Sequence, residues 1–208
     1  MWLEFRKKLE PFKVFSAGDV QKMFPGMNTM NLVRWQRKGY LIKIVKGWYC
    51  FSDHASNENI PWLASNLIYQ PSYISMETAL SYYNLIPEAV YTTTSVSTRR
   101  TNHFQTPIGS FLYRTLKKSA FWFGQTLIGL SPDPDSRKIL IAEPEKAVLD
   151  FFYINPHYKN EHEIEGLRLD QSVLDSLDRT RLYSYLDRFE NKSLNERIFK
   201  MCKVHALI

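Results

Sequence analysis

The sequence predicts an α+β fold in which a small N-terminal domain precedes a larger mixed domain. Residues 16–51 contain two short helical patterns and then an alternating apolar pattern around Lys46-Gly47, which is typical of a β-hairpin. Residues 91–142 contain runs of β-branched and aromatic residues separated by turn residues, as expected for a sheet. From Gln171 onward, apolar residues recur at helical spacing, so the chain is expected to end in helices.

Residues 1–13 predict a short leading helix that ends near Pro11. Trp2, Phe5 and Leu9 are spaced so that they form one apolar stripe along that helix. A proline disfavours continuation, because its ring blocks an interior helical hydrogen bond. We expect the stripe to close the core of the N-terminal domain.

The next helix is expected to begin after Ser16 and to end before Pro25. The Ser16 hydroxyl can accept a hydrogen bond from an unpaired helix N–H, and Asp19 can bond back, which is the pattern of a capping box. A second helix is expected to begin at Asn28 and to stop at Gly39, a residue suited to the left-handed helix end.

Two helices, a tight turn and a basic hairpin predict a winged helix-turn-helix whose second helix enters the major groove of DNA. Leu32 and Trp35 are assigned to the buried side of that helix. The residues assigned to DNA are types that bond base edges or phosphates: Lys22, Asn28, Thr29, Asn31, Arg34, Arg37, Lys38, Lys43 and Lys46.

Position along the second helix predicts what each residue does. Asn31, Arg34 and Arg37 are expected to form one outward stripe, because residues three apart are neighbours on a helix. Asn28, Thr29 and Asn31 are expected to discriminate bases, and residues near Gly39 are expected to meet phosphate. The alternative is a protein-interaction module, in which the same basic face is solvated or meets an acidic partner.

The surplus of positive charge lies in the same part of the chain. The net charge is +6, but residues 1–52 contain ten Lys or Arg against three Asp or Glu, whereas residues 53–208 contain seventeen against eighteen. A module that follows phosphates is expected to carry such a surplus.

The compartment is predicted to be the cytoplasm. Residues 1–13 are charged rather than apolar, and no apolar run approaches the roughly 20 residues of a membrane span. Cys50 and Cys202 are far apart and lack CxxC spacing, so they are expected to be buried, reduced thiols.

The polar stretch after Ser52 predicts a domain boundary, which divides the chain into a DNA-binding domain (1–53), a linker helix (54–71) and an α+β domain (72–208). In the larger domain Ser75 is expected to cap a helix that ends at Pro87, and Pro144 to start another. Strands are expected at residues 91–98, 103–106, 111–114, 121–128 and 138–142. The His- and Glu-rich residues 157–165 are expected to form a solvated loop.

A metal-dependent nuclease docked by the winged helix is the enzymatic alternative. Its acid–acid–lysine set would be Asp133, Asp135, Glu143, Glu145 and Lys146. Such a site needs Glu-x-Lys on one strand so that both side chains share a face, but the residue two before the lysine is a proline. The simpler interpretation is a set of acids at a helix N-terminus, so no catalytic residue, metal or cofactor is predicted.

Two segments of the larger domain resemble a known family. The first is Tyr73-Ile74-Ser75-x-x-Thr78-Ala79-Leu80 with Leu85-Ile86-Pro87 and Tyr91 to Thr98, and the second is Ile141-Ala142-Glu143-Pro144-Glu145-Lys146-Ala147-Val148-Leu149-Asp150. They are similar to the C-terminal domain of AbiEi-type antitoxins, the antitoxin-regulators of type IV toxin–antitoxin (abortive infection) operons. The resemblance covers about residues 1–155 and rests on packing and capping patterns.

The resemblance implies a bacterial repressor of its own operon that binds repeated promoter sequences through the winged helix. It also implies that the C-terminal domain opposes a nucleotidyltransferase-type toxin without a stable complex. No catalytic residue is carried over from the family. The function expected from the sequence is therefore transcription regulation without enzymatic activity.

Overall fold

The computed structural model describes residues 1–130 and 136–207 and shows a mixed α+β fold with two sheets. The first part of the chain contains three helices and a three-stranded sheet. These elements are α1 (Trp2–Leu9), β1 (Val14–Ser16), α2 (Ala17–Met23), α3 (Met30–Arg37), β2 (Leu41–Val45) and β3 (Trp48–Phe51).

The remaining elements build a six-stranded sheet and the helices that cover it. They are α4 (Asn59–Ile68), β4 (Ser72–Ile74), α5 (Met76–Tyr82), β5 (Thr92–Ser97), β6 (Asn102–Thr106), β7 (Gly109–Thr115), α6 (Lys118–Phe121), β8 (Gln125–Gly129), β9 (Lys138–Ala142), α7 (Pro144–Ile154), α8 (Glu161–Glu165), α9 (Gln171–Ser176), α10 (Arg179–Arg188) and α11 (Lys192–Val204). No helix in the described chain combines the length and hydropathy of a membrane span.

The small sheet is antiparallel, in the order β1-β3-β2, and is buried on both faces. Successive side chains of a strand point to opposite faces. Phe15 and Phe51 therefore pack against α1 and α3 in one core, while Val14 and the reduced Cys50 belong to the core of the larger part. One sheet thus connects the two hydrophobic cores.

The predicted apolar stripe of α1 and the predicted start of α2 are confirmed. Phe5 and Leu9 of α1 are fully buried and Trp2 is partly buried, so the apolar stripe does close the N-terminal core. At the start of α2, the N–H of Asp19 donates to the Ser16 hydroxyl over 3.0 Å, and the N–H of Ser16 donates to the Asp19 carboxylate over 2.7 Å.

The large sheet is mixed, in the order β6-β7-β5-β4-β9-β8. The β5–β7 and β4–β9 pairs are parallel and the other neighbours are antiparallel. Helix α4 covers one face, where Ser65 contacts Ser95 and Tyr113. Helices α5 and α7 cover the other face, where Tyr73 reaches Asp150, and α10 and α11 pack behind α7.

Several sequence expectations differ from the structure. The helix expected to end at Pro87 ends at Tyr82, and the segment expected to be a strand from residue 121 first completes α6, with β8 beginning at Gln125. Residues 161–165 form α8 instead of a loop, because Asn160 and Glu163 make a reciprocal capping box. The three-residue strands β1 and β4 were not predicted.

Candidate nucleic-acid interface

Helix α3 is held in place at both ends by its own sequence. The side-chain oxygen of Asn28 accepts a hydrogen bond from the N–H of Met30 over 2.8 Å, which starts the helix. At the other end Gly39 adopts a φ of +71°, and the N–H of Tyr40 donates back to the carbonyl of Trp35 over 2.9 Å. This left-handed closure requires a residue without a Cβ penalty, as predicted for Gly39.

The buried side of α3 is the one that the sequence indicates. Leu32 and Trp35 are buried in the N-terminal core, where the Trp35 ring lies 4.4 Å from the Phe5 ring between centroids. At 100° per residue, the direction opposite these two side chains is occupied by Arg34 and Arg37. Both arginines are exposed, so they project away from the core.

The hairpin is fixed beside the start of α2. Its turn at Lys46-Gly47 needs the left-handed conformation that Gly47 adopts, with a φ of +83°. The carbonyl of Gly47 accepts a hydrogen bond from the N–H of Ala17 over 2.8 Å, which ties the hairpin tip to the first residue of α2. Lys43 and Lys46 are therefore exposed on a hairpin whose position is set by α2.

The structure places eight of the nine predicted DNA-binding residues on the surface. Asn31 differs, because it is partly buried and directs its amide toward the sulfur of Met1, 3.9 Å away. It therefore lies on the side of α3 that faces α1, at the edge of the outward stripe. The exposed residues of the set are Lys22, Asn28, Thr29, Arg34, Arg37, Lys38, Lys43 and Lys46.

Asn28 is exposed but is already used by the fold. An asparagine that makes a two-point contact with adenine uses its amide oxygen and its NH₂ group at the same time. The oxygen of Asn28 accepts a hydrogen bond from the N–H of Met30, the first residue of α3, so a two-point contact with a base would cost the protein this hydrogen bond. Arg34 and Arg37 have no such internal task among the described residues.

The cations of the N-terminal part fall into two groups. On α1, Arg6 pairs with Asp53 and Glu10 and Lys8 pairs with Glu4, whereas Lys7 is exposed and makes no ion pair with a described residue. Outside α1, six further exposed cations make no ion pair with any acidic side chain in ranges 1–130 and 136–207. This unneutralised set, called the basic surface below, comprises Lys22, Arg34, Arg37, Lys38, Lys43 and Lys46.

An ion pair from the larger part stabilises the start of α2. Arg137 donates to the Asp19 carboxylate and to the carbonyl of Val14, both over 2.9 Å, and its guanidinium lies over the Phe12 ring. Burial acts to raise the pKa of Asp19, but the bonds from Ser16 and Arg137 outweigh it, so the pKa lies below its usual 3.8. Asp19 is thus held as an anion at the helix start.

The residues of the nuclease alternative are not gathered into a metal site where they are described. Asp133 and Asp135 lie outside the described residues. Glu145 lies in the first turn of α7, as expected, but it is buried and accepts a hydrogen bond from the N–H of Asp178 over 2.9 Å. Within residues 1–130 and 136–207, no three His, Cys, Asp or Glu side chains lie close enough to hold a metal ion.

Lys146 belongs to a buried polar cluster that sequence reasoning missed. Its ammonium forms an ion pair with Asp150 and donates to the Tyr73 hydroxyl over 2.6 Å, and both charged side chains are 0% exposed. The other carboxylate oxygen of Asp150 accepts hydrogen bonds from Tyr73 and Ser75, each over 2.8 Å. Ser75 was expected to cap α5, but its hydroxyl is used here.

The ion pair lies within an aromatic enclosure. The Lys146 ammonium is 4.9–5.2 Å from the ring centroids of Tyr73, Phe123 and Phe189. Burial lowers the pKa of Lys146, and Asp150 opposes that effect. Burial, reinforced by Asp150, raises the pKa of Tyr73 well above its usual value. The signal available in the sequence was the four-residue spacing of Lys146 and Asp150 in a helix that is apolar on all sides.

The chain was also compared with known proteins. No protein-family model matches it, and no curated protein is significantly similar to it.

Proposed function

We propose that residues 1–53 form a winged helix-turn-helix that binds double-stranded DNA sequence-specifically, with α3 in the major groove and the β2–β3 hairpin against the adjacent backbone. The observation that carries the proposal is the basic surface, whose six exposed cations lack acidic partners among the described residues. DNA phosphates can supply the negative charges that this surface lacks. Each phosphate that a cation neutralises releases a condensed counterion, and this release favours binding.

The division of labour on this surface follows from position. Arg34 and Arg37 point away from the core on the face of α3 that would enter the groove, and arginine pairs with the two acceptors of guanine. Thr29 lies exposed at the start of the same helix. Lys38 at the helix end and Lys46 at the hairpin tip are separated from that face, which supports contacts to the flanking phosphates.

We further propose that the DNA is the protein's own promoter and that the protein is a repressor of the AbiEi type. One feature supports this. The segments that resemble that family supply Tyr73, Ser75, Lys146 and Asp150, which form one buried cluster instead of an exposed catalytic group. The proposed partner of the larger domain is a nucleotidyltransferase-type toxin, opposed without a stable complex. Such a regulator would act in the cytoplasm and without catalysis.

A binding experiment with matched variants tests the proposal. Anisotropy would be measured with a labelled promoter fragment and a shuffled duplex of equal length, across a series of salt concentrations. Arg34→Ala is expected to weaken binding to the promoter by about 1–3 kcal/mol and to affect the shuffled duplex less. Lys46→Ala is expected to weaken both and to lower the salt slope by about one. Lys203→Ala, which removes an exposed cation from α11, should change neither.

The rival functions give different outcomes. If Arg34→Ala and Lys46→Ala bind both duplexes as the unchanged protein does, the basic surface does not bind DNA. Absence of any promoter binding at moderate salt would instead favour a protein-interaction module. Cleavage of plasmid or single-stranded DNA with Mg²⁺ or Mn²⁺, lost in Glu145→Gln, would replace the proposal with the nuclease alternative.

A further inference from the structure

A cavity of about 540 Å³ opens between α4, α5 and the segment 89–91, and none of its described lining residues belongs to the basic surface. Two of its walls are aromatic, because the Trp62 and Tyr82 rings meet at 84° with centroids 5.5 Å apart. Tyr91, at the rim, is 92% exposed, although burial of a tyrosine ring is normally favourable. Three aromatic side chains therefore surround one recess of the size that small ligands occupy.

The recess is negative although the protein is positive overall. Glu58 lies at its rim, and its carboxylate makes no hydrogen bond or ion pair with any residue of the described ranges. No Lys or Arg is among the described residues that line it. The adjoining cavity shares the segment 89–91 and adds Glu77 and Glu88, of which Glu88 alone is paired, with Arg168. A cation is the complementary occupant.

Two of the hydroxyl groups that line the recess are already engaged, those of Thr78 and Ser81. The Thr78 hydroxyl donates to the carbonyl of Thr92 and accepts from the N–H of Thr94, and the Ser81 hydroxyl donates to the carbonyl of Glu88. A primary ammonium is compact and strongly hydrated, so it must exchange up to three hydrogen bonds with water for acceptors in the recess, and among the described lining residues Glu58 alone is charged. A quaternary ammonium needs no such acceptor, because ring faces and a nearby carboxylate stabilise it without hydrogen bonds.

We propose that this recess binds a small quaternary ammonium compound, with its methyl groups against Trp62, Tyr82 and Tyr91 and its charge balanced by Glu58. The site is separate from the basic surface, so the proposal does not depend on DNA binding. Aromatic faces attract a cation through their quadrupole, and Trp and Tyr do so more strongly than Phe.

Choline and its uncharged isostere 3,3-dimethylbutan-1-ol provide the test, because they have nearly the same shape. Binding to the full chain would be measured by saturation-transfer difference NMR. Choline is expected to bind saturably and more tightly than the alcohol. Glu58→Gln and Tyr91→Leu, both surface changes, should each weaken choline by about 2- to 30-fold. Glu161→Gln and Trp122→Leu, exposed residues outside the recess, should not.

Three outcomes would overturn the proposal. They are equal affinity for choline and the alcohol, no saturable choline binding below about 10 mM, and unchanged choline binding in both Glu58→Gln and Tyr91→Leu. A loss of choline binding in the Glu161→Gln control to the same extent would also refute it, because the effect would then come from net charge alone.

Discussion

Replacing Lys146 should test whether the buried cluster stabilises the fold as an ion pair. Lys146→Met keeps the side-chain length and the contact with the surrounding rings, so it creates no large cavity, and thioether sulfur packs well against aromatic rings. What it removes is the positive charge beside Asp150, whose carboxylate is 0% exposed. The expected loss of stability is therefore electrostatic in origin.

The size of the loss in stability depends on the hydrogen bonds that the Asp150 carboxylate keeps. Removing one partner of a buried ion pair costs about 3–5 kcal/mol, because the other charge is left in the core. The carboxylate would keep its hydrogen bonds from Tyr73 and Ser75, which are charge-assisted and partly compensate it. We therefore expect the lower end, about 3 kcal/mol, or a fall in Tm of about 6–12 °C for a chain of this size.

Urea denaturation followed by tryptophan fluorescence measures this loss, and a double variant identifies its cause. Adding Asp150→Asn to Lys146→Met removes the stranded charge but keeps an oxygen that accepts from Tyr73. The double variant should be more stable than Lys146→Met alone. Lys203→Met, an exposed control, should cost less than about 1 kcal/mol. If the double variant is less stable than Lys146→Met, an unpaired buried charge is not the cause.

Three further predictions concern single positions. The lowered pKa of Asp19 stabilises the fold above its unfolded-state pKa, and this contribution is lost as pH falls through the folded-state pKa, so Asp19→Asn should flatten acid denaturation curves in that range. Gly124→Ala should destabilise the protein more than Gly26→Ala; both have positive φ, but only at Gly124 would the new Cβ meet other atoms, at 2.9 Å. Burial raises the pKa of Cys50 to about 12, so iodoacetamide should label it at pH 8 only after unfolding.

Local signals were sufficient to predict the N-terminal helices and the hairpin. The capping box at Ser16, the left-handed turns at Gly39 and Gly47 and the apolar stripe of α1 each act within a few residues, so a sequence displays them directly. Strand β1 escaped prediction because three residues show no period of their own. Its pairing depends on Cys50, 36 positions later in the chain.

The buried cluster was not predicted because several partners of Lys146 lie far from it in the sequence. Charged residues are rarely buried without a partner, so the sequence placed Glu145 at a helix N-terminus and Lys146 in the same helix without assigning either to the core. The partners that permit the burial of Lys146 include Tyr73, more than 70 positions earlier, and the ring of Phe189, about 40 positions later. Only the fold brings these together, although a helix that is apolar on every side already indicated that α7 is central.

The two parts of the chain are joined more firmly than a linker would allow. Helix α4, which the sequence assigned to a linker, contributes Ile60 and Leu63 to the core of the larger part. Val14 and Cys50 of the small sheet belong to that same core. Arg137 of the larger part donates hydrogen bonds to the carbonyl of Val14 and to the Asp19 carboxylate at the start of α2. Separating the parts would expose this apolar surface and leave Asp19 without its cation, so they are expected to move as one body. If the basic surface binds DNA, the larger domain is therefore carried in a fixed orientation on the duplex.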